Sequence, residues 1–207
     1  MIPHELQHSA LERVHLIRHA ESTANVQGLV CGCLDFELTE MGRNHARMNS
    51  KREAFKKLAG LPTVTSNLRR AMETAHLLGL SVTRSLEGLK ETDTGASSWL
   101  TQTELCKISP QFTHHSTDLD SRYAEGETTR EMLERSWASF VKVAAELNSP
   151  EIVVVSHGGP LNSISSHLLE IDFRGFPKFA FKNTALTTLS RINSEATVWR
   201  LETMNAQ

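Results

Sequence analysis

Long apolar runs are absent from this chain. The longest, residues 152–155 and 185–189, fall far short of the ~20 residues that a membrane-spanning helix requires, so no membrane association is expected. The N-terminal stretch MIPHELQHSALER has neither a basic n-region nor an apolar h-region, so no signal peptide is expected either. Cysteine is scarce and odd in number: Cys31, Cys33 and Cys106. The first two lie too close together for the usual zinc spacing and no second pair completes a site, which points to reduced thiols in a cytoplasmic protein. Positive charge is not in excess. With 22 Lys and Arg against 24 Asp and Glu, the formal net charge is -2. No global field attracts nucleic acid, and none is expected as a partner. Internal repeats and low-complexity linkers are also missing. The 207 residues suit a single domain, 1–207, with residues 1–12 as a partly helical N-terminal extension.

What is present is an alternation of strand and helix patterns. A strand is expected over Arg13–Ile17, followed by a loop punctuated by Gly28 and Gly32. Thr39 reads as the cap of a helix with the stripe Met41, His45, Met48, Phe55 and Leu58, interrupted at Arg52 and stopped by Gly60 and Pro62. A short strand at 62–65 precedes a helix capped by Ser66 or Asn67, with Leu68, Ala71, Met72, Ala75 and Leu78 inward. Another strand is expected at 81–86. From 87 to 127 the pattern dissolves, and residues 96–127 read as an insertion or lid. Thr128 to Glu131 form a capping box for a long helix. The β-branched run 152–155 marks a strand buried on both faces. Pro160 suits the first position of the next helix, faced by Leu161, Ile164 and Leu168. Strands near 184–192 and 197–201 close the chain. The fold class is therefore α/β: a three-layer α/β/α sandwich with a mostly parallel sheet and an insertion over the C-terminal strand ends.

Ligands bind such sheets at the carboxyl ends of the strands. Two strands here end in histidine, His19 after Arg18, and His157. Arg18 offers a planar fork of donors to phosphate oxygens. A neutral His19 can attack phosphorus. Arg70, or its neighbour Arg69, lies near the start of a helix. Gly158 and Gly159 leave backbone N–H groups bare at a helix N-terminus, a ready anion site. Glu87 or Glu91 could protonate a leaving oxygen. Metal is not expected: His15 and His19, and the pair His114-His115, lack a joining carboxylate cluster.

Motifs then follow in a familiar order. Arg18-His19-Ala20-Glu21-Ser22-Thr23-Ala24-Asn25 comes first, then Gly32, Asp35, Leu38, Thr39 and Gly42. Ser66, Leu68, Arg70, Ala71, Thr74 and Ala75 come next, then Leu89, Glu91 and Gly95, then Gly126, Glu127 and Thr128. Ser156-His157-Gly158-Gly159 is last. With these motifs the chain resembles the histidine phosphatase superfamily, the phosphoglycerate-mutase-like fold, and its phosphatase branch. The resemblance selects Arg70 over Arg69 and Glu91 over Glu87. It implies a phosphomonoester hydrolase of metal-independent, acid-phosphatase type, without a cofactor, acting on a small phosphorylated metabolite. His19 is the implied nucleophile. Arg18, Arg70 and a protonated His157 hold the phosphoryl oxygens, and Glu91 is the acid. Ser22, Thr23, Asn25 and Gly158 are expected to bind substrate.

The family glycine after the histidine is Ala20 here, a methyl group beside the phosphate loop. Ala96-Ser97-Ser98-Trp99 and Pro160-Leu161-Asn162 also depart from the family pattern and leave the substrate open. Two rivals are a phosphoglycerate mutase and a catalytically silent phosphate-binding module. The resemblance implies that dedicated mutases carry a longer chain and a more basic clamp between the acid and the last histidine, whereas residues 96–127 hold only Lys107 and Arg122 as permanent cations, which argues for a phosphatase. The full set of charged site residues argues against a silent module.

Overall fold

The computed structural model describes residues 3–112, 118–192 and 198–207. Among them, six strands form one sheet: β1 (Arg13–Arg18), β2 (Thr63–Ser66), β3 (Val82–Leu86), β4 (Glu151–Ser156), β5 (Leu186–Arg191) and β6 (Trp199–Ala206). Their order is β3-β2-β4-β1-β5-β6. β3, β2, β4 and β1 run parallel, and β5 and β6 add antiparallel pairings at one side. The β-branched run lies at the sheet's centre, as its double-sided burial requires. The helices are α1 (His4–Gln7), α2 (Thr23–Gln27), α3 (Glu40–Asn49), α4 (Glu53–Lys56), α5 (Arg69–Leu77), α6 (Gln102–Ile108), α7 (Thr129–Leu147) and α8 (Gly158–Leu168).

Side chains alternate across the central strands, so each face carries its own core. Val14, Leu16, Ile152 and Val154 pack with Phe140 of α7 and Ile164 of α8. Ile17, Val153 and Val155 pack on the other face with Ala46 of α3, Phe55 of α4 and Ala71 of α5. Truncating a fully buried aromatic such as Phe140 to alanine costs about 3–5 kcal/mol. The three-layer expectation therefore holds.

The described residues before β1 include α1 and contribute to the first core. Leu6 and Leu11 are fully buried in the first core, and Arg191 donates to the Leu6 carbonyl. Thr39 caps α3, donating its hydroxyl to the Glu21 carboxylate while accepting the Gly42 N–H. The expected single helix over 40–58 is broken after Asn49, and its phase differs from the apolar stripe. Met41 and Met48 are 66% and 60% exposed, whereas Gly42, Ala46 and Asn49 face inward. The reason is close approach: a Cβ on Gly42 would lie 2.4 Å from the Glu21 carbonyl oxygen, so the small-residue face must pack there. Met72 on α5 is likewise exposed.

Neither Ser66 nor Asn67 is the cap of α5. Leu68 holds that place, and the Ser66 hydroxyl accepts the Leu68 N–H instead. Residues 96–127 contain α6, which has its own capping box of Thr101 and Glu104. α7 begins with the expected box of Thr128 and Glu131. α8 starts at Gly158 with His157 as cap, so Pro160 is the third helical residue rather than the first. It still costs no hydrogen bond, since first-turn N–H groups have no intrahelical partner. The last strand runs on to Ala206, and Thr197 lies outside the described residues.

Candidate active site

The register of β1 against β4 pairs Arg18 with Ser156, so the residues that follow, His19 and His157, leave the sheet side by side. The His19 N–H donates to the Ser156 carbonyl at 2.9 Å. The two imidazole centroids are 5.0 Å apart. His19 is 3% exposed. Its Nδ1 lies 2.7 Å from the Ala20 carbonyl oxygen, which can only accept, so Nδ1 carries the ring proton and Nε2 keeps a lone pair. Burial, then the charges of Arg70 and Arg18, hold its pKa well below the ordinary value. The ring is thus a neutral base with its Nε2 free of protein partners among the described residues.

Arg18 and Arg70 flank it. Arg18 Nη1 donates to the Phe181 carbonyl at 2.9 Å, and its buried Nε has no partner among the described residues. Arg70, 1% exposed, donates to the Leu34 and Gly32 carbonyls at 2.6 and 2.9 Å; its Nε is also unpartnered among the described residues. Both guanidinium groups are oriented by neutral carbonyls, which leaves their charge unspent. Such a pair beside an uncharged imidazole suits an anion.

His157 is fully buried, and its Nε2 lies 2.8 Å from the Ser66 hydroxyl. Burial, then Arg70 and His19, push its pKa well below the ordinary value. The expectation of a protonated His157 is therefore corrected for the free site: the ring is neutral there. The other ring nitrogen, Nδ1, has no partner among the described residues. Glu91 closes the cluster from the loop after β3. Its Oε1 accepts the Thr92 N–H at 3.0 Å and the Gly159 N–H at 3.2 Å. A Cβ on Gly159 would lie 2.4 Å from Oε1, so only glycine admits this contact. Glu87, by contrast, is an exposed partner of Lys90.

A cavity of about 460 Å³ opens over this cluster. Arg18, His19, Asn25, Arg70, Glu91 and Gly158 line it. His157 is not part of its wall and packs against His19 instead. Ser22 and Thr23, two of the expected substrate ligands, do not line it. Ser22 is spent as the cap of α2, in a reciprocal box with Asn25. The Ala20 methyl is fully buried in the second core and takes no place in the cavity wall, while its N–H donates to the Thr74 hydroxyl.

Sequence reading misses several contributors. Asn183 donates to the His19 carbonyl at 2.7 Å and touches Asn25 Oδ1. Arg135 of α7 donates to the Gly88, Lys90 and Glu91 carbonyls and is paired with Glu127, tying down the loop that carries Glu91. Phe176, Phe179 and Phe181 form a wall of the cavity. The aromatic run FPKFAF is the only sign of it in the sequence. Cys31 lines the cavity, but burial pushes its thiol up, and that of Cys33 to about 11, which makes both poor nucleophiles. Among the described residues no group of three or more His, Cys, Asp or Glu gathers as a metal cage. His15 is instead held by Thr188 and Glu151. The pair His114-His115 lies outside the described residues.

Residues 14–207 match the family model of the histidine phosphatase superfamily, branch 1. The chain is 30% identical to a glucosyl-3-phosphoglycerate phosphatase of Mycobacterium tuberculosis over 94% of each chain. It is 25% identical to a metal-independent phosphoserine phosphatase of Arabidopsis thaliana, over 81% of this chain and 73% of that one. A solved structure of the mycobacterial glucosyl-3-phosphoglycerate phosphatase with VO3 superposes with a TM-score of 0.79 at 29% identity, covering 95% of this chain and 100% of that one.

Proposed function

The chain belongs to the histidine phosphatase superfamily, and from that premise we propose that it hydrolyses small phosphomonoesters through a phosphohistidine on His19. One observation carries the reading: the proton of His19 is held on Nδ1 by the Ala20 carbonyl, which leaves Nε2 bare beside two guanidinium groups without carboxylate partners among the described residues.

Nε2 attacks phosphorus in line with the leaving oxygen. Arg18 and Arg70 hold the non-bridging oxygens and offset charge as the P–O bond breaks. His157 lies against His19 beside them, and the arriving phosphate charge favours protonation of this ring. Asn25 and the Gly158 N–H at the start of α8 complete the anion cradle. Glu91 gives its proton to the leaving oxygen, then takes one from the water that cleaves the His19–phosphorus bond. The backbone N–H groups and cationic side chains supply the electrostatic work of a metal, so the reaction is metal-independent. Residues 96–112 and 118–127 act as the cover of the site. The free thiols of Cys31, Cys33 and Cys106 support a reducing compartment, and the cytoplasm is the proposed location.

Turnover of para-nitrophenyl phosphate in EDTA tests the reading. Steady release of inorganic phosphate is expected. A stoichiometric complex without turnover would mean a binding module. Conversion of 3-phosphoglycerate to its isomer, with the bisphosphate primer, would mean a mutase.

A further inference from the structure

The cavity continues outward from the phosphate cluster between residues 29–31, Tyr123 and residues 176–181. Among the described residues that line it, Arg18 and Arg70 are the only permanent cations, and both sit at His19. Three polar side chains farther out are already engaged. Asn162 donates to the Gly158 and Phe179 carbonyls, and its Oδ1 accepts the Phe179 N–H. Gln102 donates to the Phe112 carbonyl, and the Thr94 hydroxyl pairs with Ser98. What remains as contact surface is mostly apolar, Leu29, Val30, Phe176, Phe179, Phe181 and the Tyr123 ring, with the Tyr123 and Thr92 hydroxyls among it. This wall is built rather than incidental. The buried Asn162 grips the Phe179 backbone at both its N–H and its carbonyl, Phe179 and Phe181 rings lie 6.2 Å apart, and Tyr123 stacks on Phe112 at 4.0 Å.

A carboxylate or second phosphate on the substrate would lose its hydration against this wall and meet no cation. Sugar hydroxyls would lose water along most of this wall and find few groups to bond, the Tyr123 and Thr92 hydroxyls and the Gln102 amide oxygen. An aromatic ring would bury apolar surface and meet ring edges and faces. Building on the phosphatase reading, we infer that the leaving group is an uncharged, largely apolar alcohol bearing an aromatic ring. The phosphoryl group goes to His19, and the proton of Glu91 goes to the alcohol oxygen.

The test compares kcat/KM of the full chain for 2-phenylethyl phosphate, ethyl phosphate, glucose 6-phosphate and 3-phosphoglycerate. All four release an aliphatic alcohol, so differences in leaving-group acidity do not dominate. The phenylethyl ester should exceed both sugar and glycerate phosphates by about tenfold or more. Phe176→Ala and Phe179→Ala should each lower the phenylethyl-to-ethyl ratio about fivefold to tenfold. Phe176→Arg should move preference toward 3-phosphoglycerate. A wild-type preference for 3-phosphoglycerate or glucose 6-phosphate, or an unchanged ratio in both alanine variants, would overturn the inference while leaving the phosphatase reading intact. No turnover of any monoester, para-nitrophenyl phosphate included, would remove both.

Discussion

Replacing Gly159 by alanine puts a methyl group where the Glu91 carboxylate now sits. The new Cβ would lie 2.4 Å from Glu91 Oε1, 3.0 Å from Met132 Cε and 3.2 Å from Met132 Sδ. Both neighbours are ends of flexible side chains, so the clash is relieved by their retreat rather than by the backbone. Glu91 must withdraw by about 1 Å to reach ordinary contact. It also loses the 3.2 Å hydrogen bond from the Gly159 N–H. A displacement of that size costs about 10²-fold in a positioned catalytic group, within the ~10²–10⁴-fold that general acid catalysis contributes. Gly159→Ala should therefore lose about 10²-fold in kcat/KM on an alkyl phosphate, whose leaving oxygen needs a proton. It should lose less than about tenfold on para-nitrophenyl phosphate, whose leaving oxygen hardly needs one. The melting temperature should fall by no more than about 4 °C, since overpacking relieved by flexible ends costs about 1 kcal/mol. Steady-state kinetics on both substrates, with a thermal melt, make the assay. Equal losses on the two substrates, or wild-type rates on both, would refute the placement of Glu91 as the proton donor.

Glu91→Gln should show the same leaving-group dependence more strongly, whereas Glu87→Gln should match wild type; the reverse pattern in paired assays would require realigning residues 86–95. Arg135→Ala should lower kcat on alkyl phosphates by about tenfold through a loosened Glu91 loop, with partial recovery in Arg135→Lys; a loss equal across leaving groups would mean general destabilisation. His19 and His157 have lowered native pKa values, so below the unfolded value of 6.5 the unfolded chain takes up protons that the folded chain refuses. Each histidine should then cost about 1.4 kcal/mol of stability per pH unit as pH falls below that value, until its native pKa is reached, and nothing above it. Urea midpoints between pH 7.5 and 5 should show this, with a shallower slope in His157→Asn. The same depression keeps His19 unprotonated, so turnover should persist below pH 6. Prolonged chelation with EDTA should leave the rate unchanged, and a loss restored by a divalent ion would reveal a metal requirement.

The residues proposed to carry the chemistry are legible in the sequence because strand ends in an α/β sheet converge. Arg18-His19 and His157-Gly158 each follow an apolar run, and the parallel register of β1 and β4 brings them together. Caps are legible for the same local reason: Thr39, Thr128 and Glu131 act within one turn. Properties set by distant contacts are not. Met41 and Met48 look like a core stripe, yet the contact of Gly42 with the Glu21 backbone rotates them to the surface. His157 looks like a cation until its complete burial among Arg70, His19 and Arg18 is visible. Arg135 and Asn183 reach the site across 44 and 164 residues of sequence, which no local pattern records. The Phe176–Phe181 wall reads as an ordinary loop until it is seen folded over the cavity.

The central claim is that phosphate passes through His19. Wild-type protein quenched during turnover of a 32P-labelled monoester should carry label that survives base and is released by acid, on the peptide containing His19. His19→Ala should carry none and should lack turnover. Label on another residue, or substantial hydrolysis by His19→Ala, would contradict the account.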